Sequence, residues 1–153
     1  MTAAVEAGDV EEFMATLSPA VVLRSPISDR AEFRGHDDIR QLMEAVFATI
    51  EDIRYYLDLG DETNRALFYR GRIGNRWLEE ACLVSLDAEA RIDEFTLWIR
   101  PLPGLTRLAA GLGPRLARRG GRGRAALVAA AARPLASLTA AADGPLVRLV
   151  TRR

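Results

Sequence analysis

The charge on this chain reverses near residue 100, and that break limits what each side can fold into. Up to Ile99 there are 20 Asp and Glu against 10 Arg; from Arg100 onward there are 11 Arg against one acid, Asp143. A formal net charge of zero therefore joins a body near −10 to a tail near +10. The body mixes helical and alternating apolar periods, whereas the tail is Ala, Leu and Arg broken by Gly and Pro, as helices and joints are. At 153 residues the chain fits one domain with an appendage. The break predicts a body over residues 1–103 and a helical extension over 104–153.

The residue inventory closes off several chemistries. Every basic side chain other than His36 is Arg, which removes lysine Schiff bases and any P-loop, whose glycines must be followed by Lys. Cys82 and His36 are single copies, so neither an intrachain disulfide nor a Cys/His zinc cluster can be assembled from them. No metal or cofactor is expected. Met1 to Leu17 carries Glu6, Asp9, Glu11 and Glu12 and no apolar run of signal-peptide length. The longest apolar stretch, Ala125 to Ala132, falls short of the ~20 residues that span a bilayer. These features predict a soluble cytoplasmic protein.

Periodicity predicts the elements. Asp9 can cap a first helix with Glu12 as its capping-box partner, and Val10, Phe13, Met14 and Leu17 supply its apolar stripe up to Ser18-Pro19. A short strand, Val21 to Ser25, runs into Pro26, and a polar loop covers Ser28 to Gly35. Ile39, Leu42, Met43, Val46, Phe47 and Ile50 lie on one face of a longer helix, with Asp37 and Asp38 in its first turn, where the helix dipole favours acids. An antiparallel meander follows: Ile53–Leu59, Ala66–Ile73, Trp77–Leu86 and Arg91–Arg100, with Gly74-Asn75 as a tight turn. This order predicts an α+β fold with helices on one sheet face. In the tail, Leu105, Leu108, Leu112 and Leu116 form a stripe interrupted by Gly111, Gly113 and Pro114. Gly120 to Gly123 reads as a joint. A second helix is expected from Arg124 to Ala141, kinked at Pro134, and then a short one capped by Asp143 with Pro145 near its start.

Several short pieces in this order carry a resemblance: Ala7-Gly8-Asp9, Ser25-Pro26, Phe33-Arg34-Gly35-His36-Asp37-Asp38-Ile39, and Leu86-Asp87 with Arg91-Ile92. Over about Val5 to Ile99 the chain resembles the nuclear transport factor 2-like superfamily, and within it the SnoaL-like proteins. The Arg100-Pro101-Leu102-Pro103 exit and Arg-rich tail resemble an actinobacterial type of these. The resemblance implies a cone, a curved antiparallel sheet wrapped around the long helix, whose open end is a pocket for a small hydrophobic ligand. It also implies a homodimer. Members include ketosteroid isomerase, polyketide cyclases, limonene epoxide hydrolase, and non-enzymatic binders and dimerising modules, so the fold does not fix the function.

Ketosteroid isomerase offers a test by position. Its general base is an Asp before the Pro that follows the first strand; here that place holds Ser25, which has no charged form near neutrality to act as a base. Its oxyanion-donating acid stands five residues before the Asp of the last hairpin; counting back from Asp87 reaches Cys82, a weaker donor. Its oxyanion Tyr falls at or before Met1. Chemistry by that mechanism is therefore not expected. A Ser25/His36/Asp triad would need His36 within hydrogen-bond reach of Ser25; His36 otherwise simply opens the helix.

Strand alternation puts Leu78, Glu80, Cys82 and Val84 on one face. With Cys82 inward, as the resemblance implies, Glu80 points inward too. A buried Glu80 would have a raised pKa and could act as acid or base, which makes it the best catalytic candidate; its bland alternative is a salt bridge to Arg70 or Arg72. The expected pocket wall is Ser25, Tyr69, Leu78, Glu80, Cys82 and Trp98. The tail is expected to lay its apolar helix faces on the body, roofing the pocket or extending a dimer interface. The alternative is peripheral membrane contact through residues 104–153. The Arg118 to Arg124 run lacks aromatic neighbours for stacking bases, so no nucleic acid partner is expected. The sequence thus points to binding of a small apolar or polycyclic molecule without assigned chemistry. An isomerase, cyclase or hydrolase acting on a polyketide, steroid or terpenoid-like substrate, or a dimeric interaction module, stands as the alternative.

Overall fold

The computed structural model describes residues 1–151, so the last two positions of the 104–153 extension lie outside the described residues. The N-terminal helical segment divides at Gly8. Helix α1 (Thr2–Ala7) ends there because glycine enters the left-handed region at φ 69° without strain. Helix α2 (Val10–Met14) starts at Asp9, whose carboxylate accepts from the Glu12 N–H at 2.9 Å, satisfying one of the helix's free donors. Leu17, expected on this helix, instead opens strand β1 (Leu17–Arg24), which is longer than the predicted Val21 to Ser25 and runs through Ser18-Pro19.

The predicted polar loop contains a further short strand, β2 (Glu32–Arg34), paired antiparallel to β1. Helix α3 (Gly35–Phe47) buries Ile39, Leu42 and Met43, as the spacing predicts, together with Ala45; Val46 and Phe47 are half-buried, and Ile50 lies just beyond the helix end. Strands β3 (Glu51–Gly60), β4 (Asn64–Ile73), β5 (Arg76–Leu86) and β6 (Ile92–Arg100) follow as an antiparallel meander. They complete a curved, unclosed six-stranded sheet of order β2-β1-β6-β5-β4-β3. The sheet is mixed, because β1 lies parallel to β6. A parallel pairing joins strands far apart in sequence, and local alternation carries no sign of it.

The tail is a helical hairpin. Helix α4 (Leu102–Ala117) buries Leu108 and Leu112, and helix α5 (Arg122–Val150) returns beside it after a short 3-10 turn at Arg118–Gly120. Gly111, which reads in sequence as an interruption, is a point of close approach: a Cβ there would stand 2.6 Å from Thr49 Cγ2. Within the hairpin, the Thr106 and Thr139 hydroxyls meet at 2.7 Å. Two expectations are corrected here. Helix α5 is continuous through Pro134 and Pro145 rather than ending near Ala141 and restarting at Asp143. It is also long and apolar enough, by length and composition, to cross a membrane.

Candidate functional site

The concave side of the sheet, the inner face of α3 and the tail hairpin enclose a cavity of about 320 Å³, at the small end of the range for ligand sites. Its wall is almost wholly apolar. Phe13, Leu42, Met43 and Phe95 come from the body, and Leu108, Leu112 and Leu116 of α4 with Val128 and Ala132 of α5 close the remaining side. The tail therefore roofs this hollow.

Glu80 is the acid on that wall. Inward alternation along β5 buries Leu78, Glu80, Cys82 and Val84 together. Ladder register then decides the partner of Glu80. It lies opposite Tyr69, whereas Arg70 lies opposite Glu79 on the outer face and donates to it at 2.8 Å. Arg72 is likewise engaged on the outside, by Glu51 and Asp52. The arginine partner considered from sequence is thus excluded by strand parity. Instead the Tyr69 hydroxyl donates to Glu80 Oε2 at 2.8 Å. Tyr55 from β3 packs on Tyr69 with ring centroids 5.3 Å apart and also lines the cavity.

Burial pushes the Glu80 carboxyl up to about 7, with the Tyr69 hydrogen bond pulling the other way. Removing water penalises the charged form more than one neutral donor restores it. Burial, and then the negative charge of Glu80, raise the Tyr69 and Tyr55 hydroxyls well above the ordinary tyrosine range. The same two causes raise the Cys82 thiol, which makes Cys82 a small buried neutral group rather than a reactive thiolate.

Of the residues expected at the wall, Ser25, Tyr69, Glu80 and Cys82 line the cavity. Leu78 shares their face but is sealed in the core at 1 % exposure, beneath Gly104 of α4. Trp98 falls on the opposite side: it pairs with Ala81, one step out of phase with Glu80 and Cys82, and is 54 % exposed. It flanks a shallow outer hollow with Tyr56, Phe68 and Arg100. The residues of β6 that do face the cavity are Phe95, Leu97 and Ile99. Ser25 Oγ accepts from the Ile27 N–H at 3.2 Å, the bond of a turn residue. The His36 ring nitrogen Nε2 lies 3.0 Å from the Ser18 carbonyl oxygen, so the Ser25/His36 pairing of a triad is not formed. Among the described residues no group of three or more His, Cys, Asp or Glu side chains converges as metal ligands. Sequence reasoning missed Tyr55, since the register shift in β3 between Tyr55 and Leu57 disrupts its alternation.

Comparison with known proteins agrees with this architecture. Residues 1–73 match the family model of the SnoaL-like domain. A steroid delta-isomerase from Pseudomonas aeruginosa is 26 % identical, with a TM-score of 0.69 over 76 % of this chain and 86 % of its own. A Silicibacter pomeroyi protein with a cystatin-like fold is 22 % identical, with a TM-score of 0.71 over 75 % of this chain and 81 % of its own. SalBIII, an epoxide hydrolase/cyclase-like enzyme of pyran ring formation in salinomycin, is 14 % identical, with a TM-score of 0.56 over 65 % and 84 %. The last two likenesses concern the fold alone. Among curated proteins none matches the chain.

Proposed function

We propose that this chain, a SnoaL-like protein of the nuclear transport factor 2-like superfamily, binds a small, largely apolar or polycyclic molecule carrying one hydrogen-bonding oxygen. Supporting this is the apolar hollow with one buried acid on its wall. Near neutrality a substantial fraction of Glu80 keeps its proton, and a carboxylic acid can donate to a ligand carbonyl or hydroxyl while its other oxygen holds Tyr69. The body at 1–103 then supplies the container and the extension from 104 its roof.

A catalytic reading of the same hollow is favoured by the burial of Glu80 on its wall, which pushes the carboxyl up to about 7, near where a general acid or base is most effective. In that reading the substrate is isomerised, cyclised or hydrolysed, with Glu80 moving the proton. Glu80→Gln separates the two. An amide keeps a donor and an acceptor, so binding survives while proton transfer does not. Turnover retained by Glu80→Gln on a substrate in hand removes the catalytic reading.

The binding reading is tested with two polycyclic probes that differ only in one ring oxygen. Wild-type protein is expected to favour the oxygenated probe about tenfold or more, the value of one buried hydrogen bond, and Glu80→Leu to lose that preference. Leu112→Trp, which fills the hollow, is expected to exclude both probes. Equal binding of both probes by wild type and by Leu112→Trp overturns the proposal. For the homodimer, support comes from the outer sheet face, where Tyr56, Leu83 and Trp98 are exposed together.

A further inference from the structure

We propose that α5 is a lipid-docking helix that lies along an anionic membrane surface, with its outward leucines in the acyl boundary and its arginines at the headgroups. Its inner face is committed to the protein. Ala125 is buried, Val128 and Ala132 close the cavity, and Thr139 bonds to Thr106 of α4. About a third of a turn round the helix from it, a second face carries Leu127, Leu138 and Leu149, at 73, 67 and 82 % exposure.

The regularity of that face shows that the leucines are not scattered. Residues 127–137 and 138–148 agree at six of eleven positions: Leu127/Leu138, Ala129/Ala140, Ala130/Ala141, Ala131/Ala142, Pro134/Pro145 and Leu135/Leu146. Eleven residues are close to three helical turns, so the repeat returns each side chain to nearly the same line. Leu127, Leu138 and Leu149 form one row, flanked by Leu135 and Leu146, which are also exposed. At 29 residues the helix extends about 43 Å, and among the described residues nothing covers this row.

Charge selects the occupant. Arg122, Arg124, Arg133 and Arg148 are all exposed on α5, and among the described residues none of them is in a salt bridge. Asp143 is the helix's one acid. Arg122, Arg133 and Arg148 fall within about a quarter turn of each other, to one side of the leucine row. Two copies of α5 placed face to face would set these cations against each other. An anionic lipid surface pairs them with phosphate and takes up the leucines, as amphipathic basic helices do. The helix lies on the surface rather than across it, because one face is held by α4 and Arg133 sits near mid-length. Docking in this way turns the roof of the cavity toward the bilayer. The proposal does not depend on what the cavity holds.

The test is flotation of the full chain with phosphatidylcholine vesicles and with equal mixtures of phosphatidylcholine and phosphatidylglycerol. Binding is expected on the mixed vesicles alone, weakening with salt. Arg133→Gln and Arg148→Gln are each expected to lower the partition constant about fivefold. The triple variant Leu127→Ser/Leu138→Ser/Leu149→Ser is expected to abolish flotation; as these side chains are exposed, its circular dichroism and melting should match wild type. Equal binding to both vesicle types, no binding at low salt, or unchanged binding of the folded triple variant overturns the proposal. So does carbonate-resistant integration, preferential capture by double-stranded DNA at equal salt, or self-association lost in the triple variant without vesicle binding.

Discussion

The Tyr69 hydroxyl donates to Glu80 at 2.8 Å inside an apolar wall, and among the described residues no arginine bonds to the pair. Parity in the β4–β5 ladder is the cause. Each inward step places Tyr69 and Glu80 together and sends the oppositely charged Arg70 and Glu79 outward. A buried carboxyl with one neutral donor keeps its proton to higher pH, and this property links the fold to the proposed function.

Stability should fall as pH rises from about 5 to about 8. Glu80 has a folded pKa of about 7 against an ordinary 4.5, so between those values the folded state binds more protons than the unfolded state. The stabilisation is complete below the unfolded value and is lost on the way to about 7, by an amount on the order of 3 kcal/mol. The carboxyls held low by hydrogen bonds or arginines, such as Asp61 and Glu94, act below this window. Urea unfolding at the two pH values is expected to show the fall in wild type and a nearly flat profile in Glu80→Gln.

Tyr69→Phe should move the Glu80 titration upward, since the hydroxyl is the one group holding it down. The fall in stability then extends to higher pH, and the variant loses about 1–3 kcal/mol overall for an unsatisfied buried carboxyl oxygen. Urea unfolding across the same pH series reads both effects. A downward shift would mean that water or another donor replaces Tyr69.

Gly111→Ala tests whether the tail is seated on the body. Helix propensity alone favours alanine by about 1 kcal/mol. A Cβ at Gly111 would stand 2.6 Å from Thr49 Cγ2, and overpacking of that kind costs about 1–3 kcal/mol. The steric cost should win and lower the melting temperature. A rise would show that α4 does not approach Thr49, in the connection after α3, closely in solution.

On the outer face, Leu83→Glu combined with Trp98→Glu should weaken self-association while leaving probe binding unchanged. Both side chains are half-exposed and point away from the cavity. Sedimentation velocity is expected to show a shift from dimer to monomer at matched concentration. A wild-type monomer at all concentrations, or loss of probe binding with the dimer, contradicts the assignment of two separate faces.

Much of this architecture was legible where one rule governs a stretch. Helix α3 follows from its apolar period, the meander from alternation and turns, and the shared face of Leu78, Glu80, Cys82 and Val84 from parity within one strand, with its inward direction implied by the family resemblance. Trp98 was misplaced because parity within a strand does not transfer to its neighbour; the pairing Glu80↔Ile99 sets it, and that is a register no local pattern encodes. Tyr55 was hidden by a bulge, and β2 by its three-residue length. In the tail, local rules make proline and glycine breaks. Gly111 instead permits close packing, and α5 runs on through both prolines.

The measurement that bears most directly on the account is the carbon-13 chemical shift of the Glu80 carboxyl, assigned by its absence in Glu80→Gln and followed through pH with and without a hydroxylated polycyclic probe. The account predicts an inflection near 7 in the free protein that moves on binding. An inflection in the ordinary carboxylate range, or one indifferent to a bound probe, would contradict a buried acid facing a ligand.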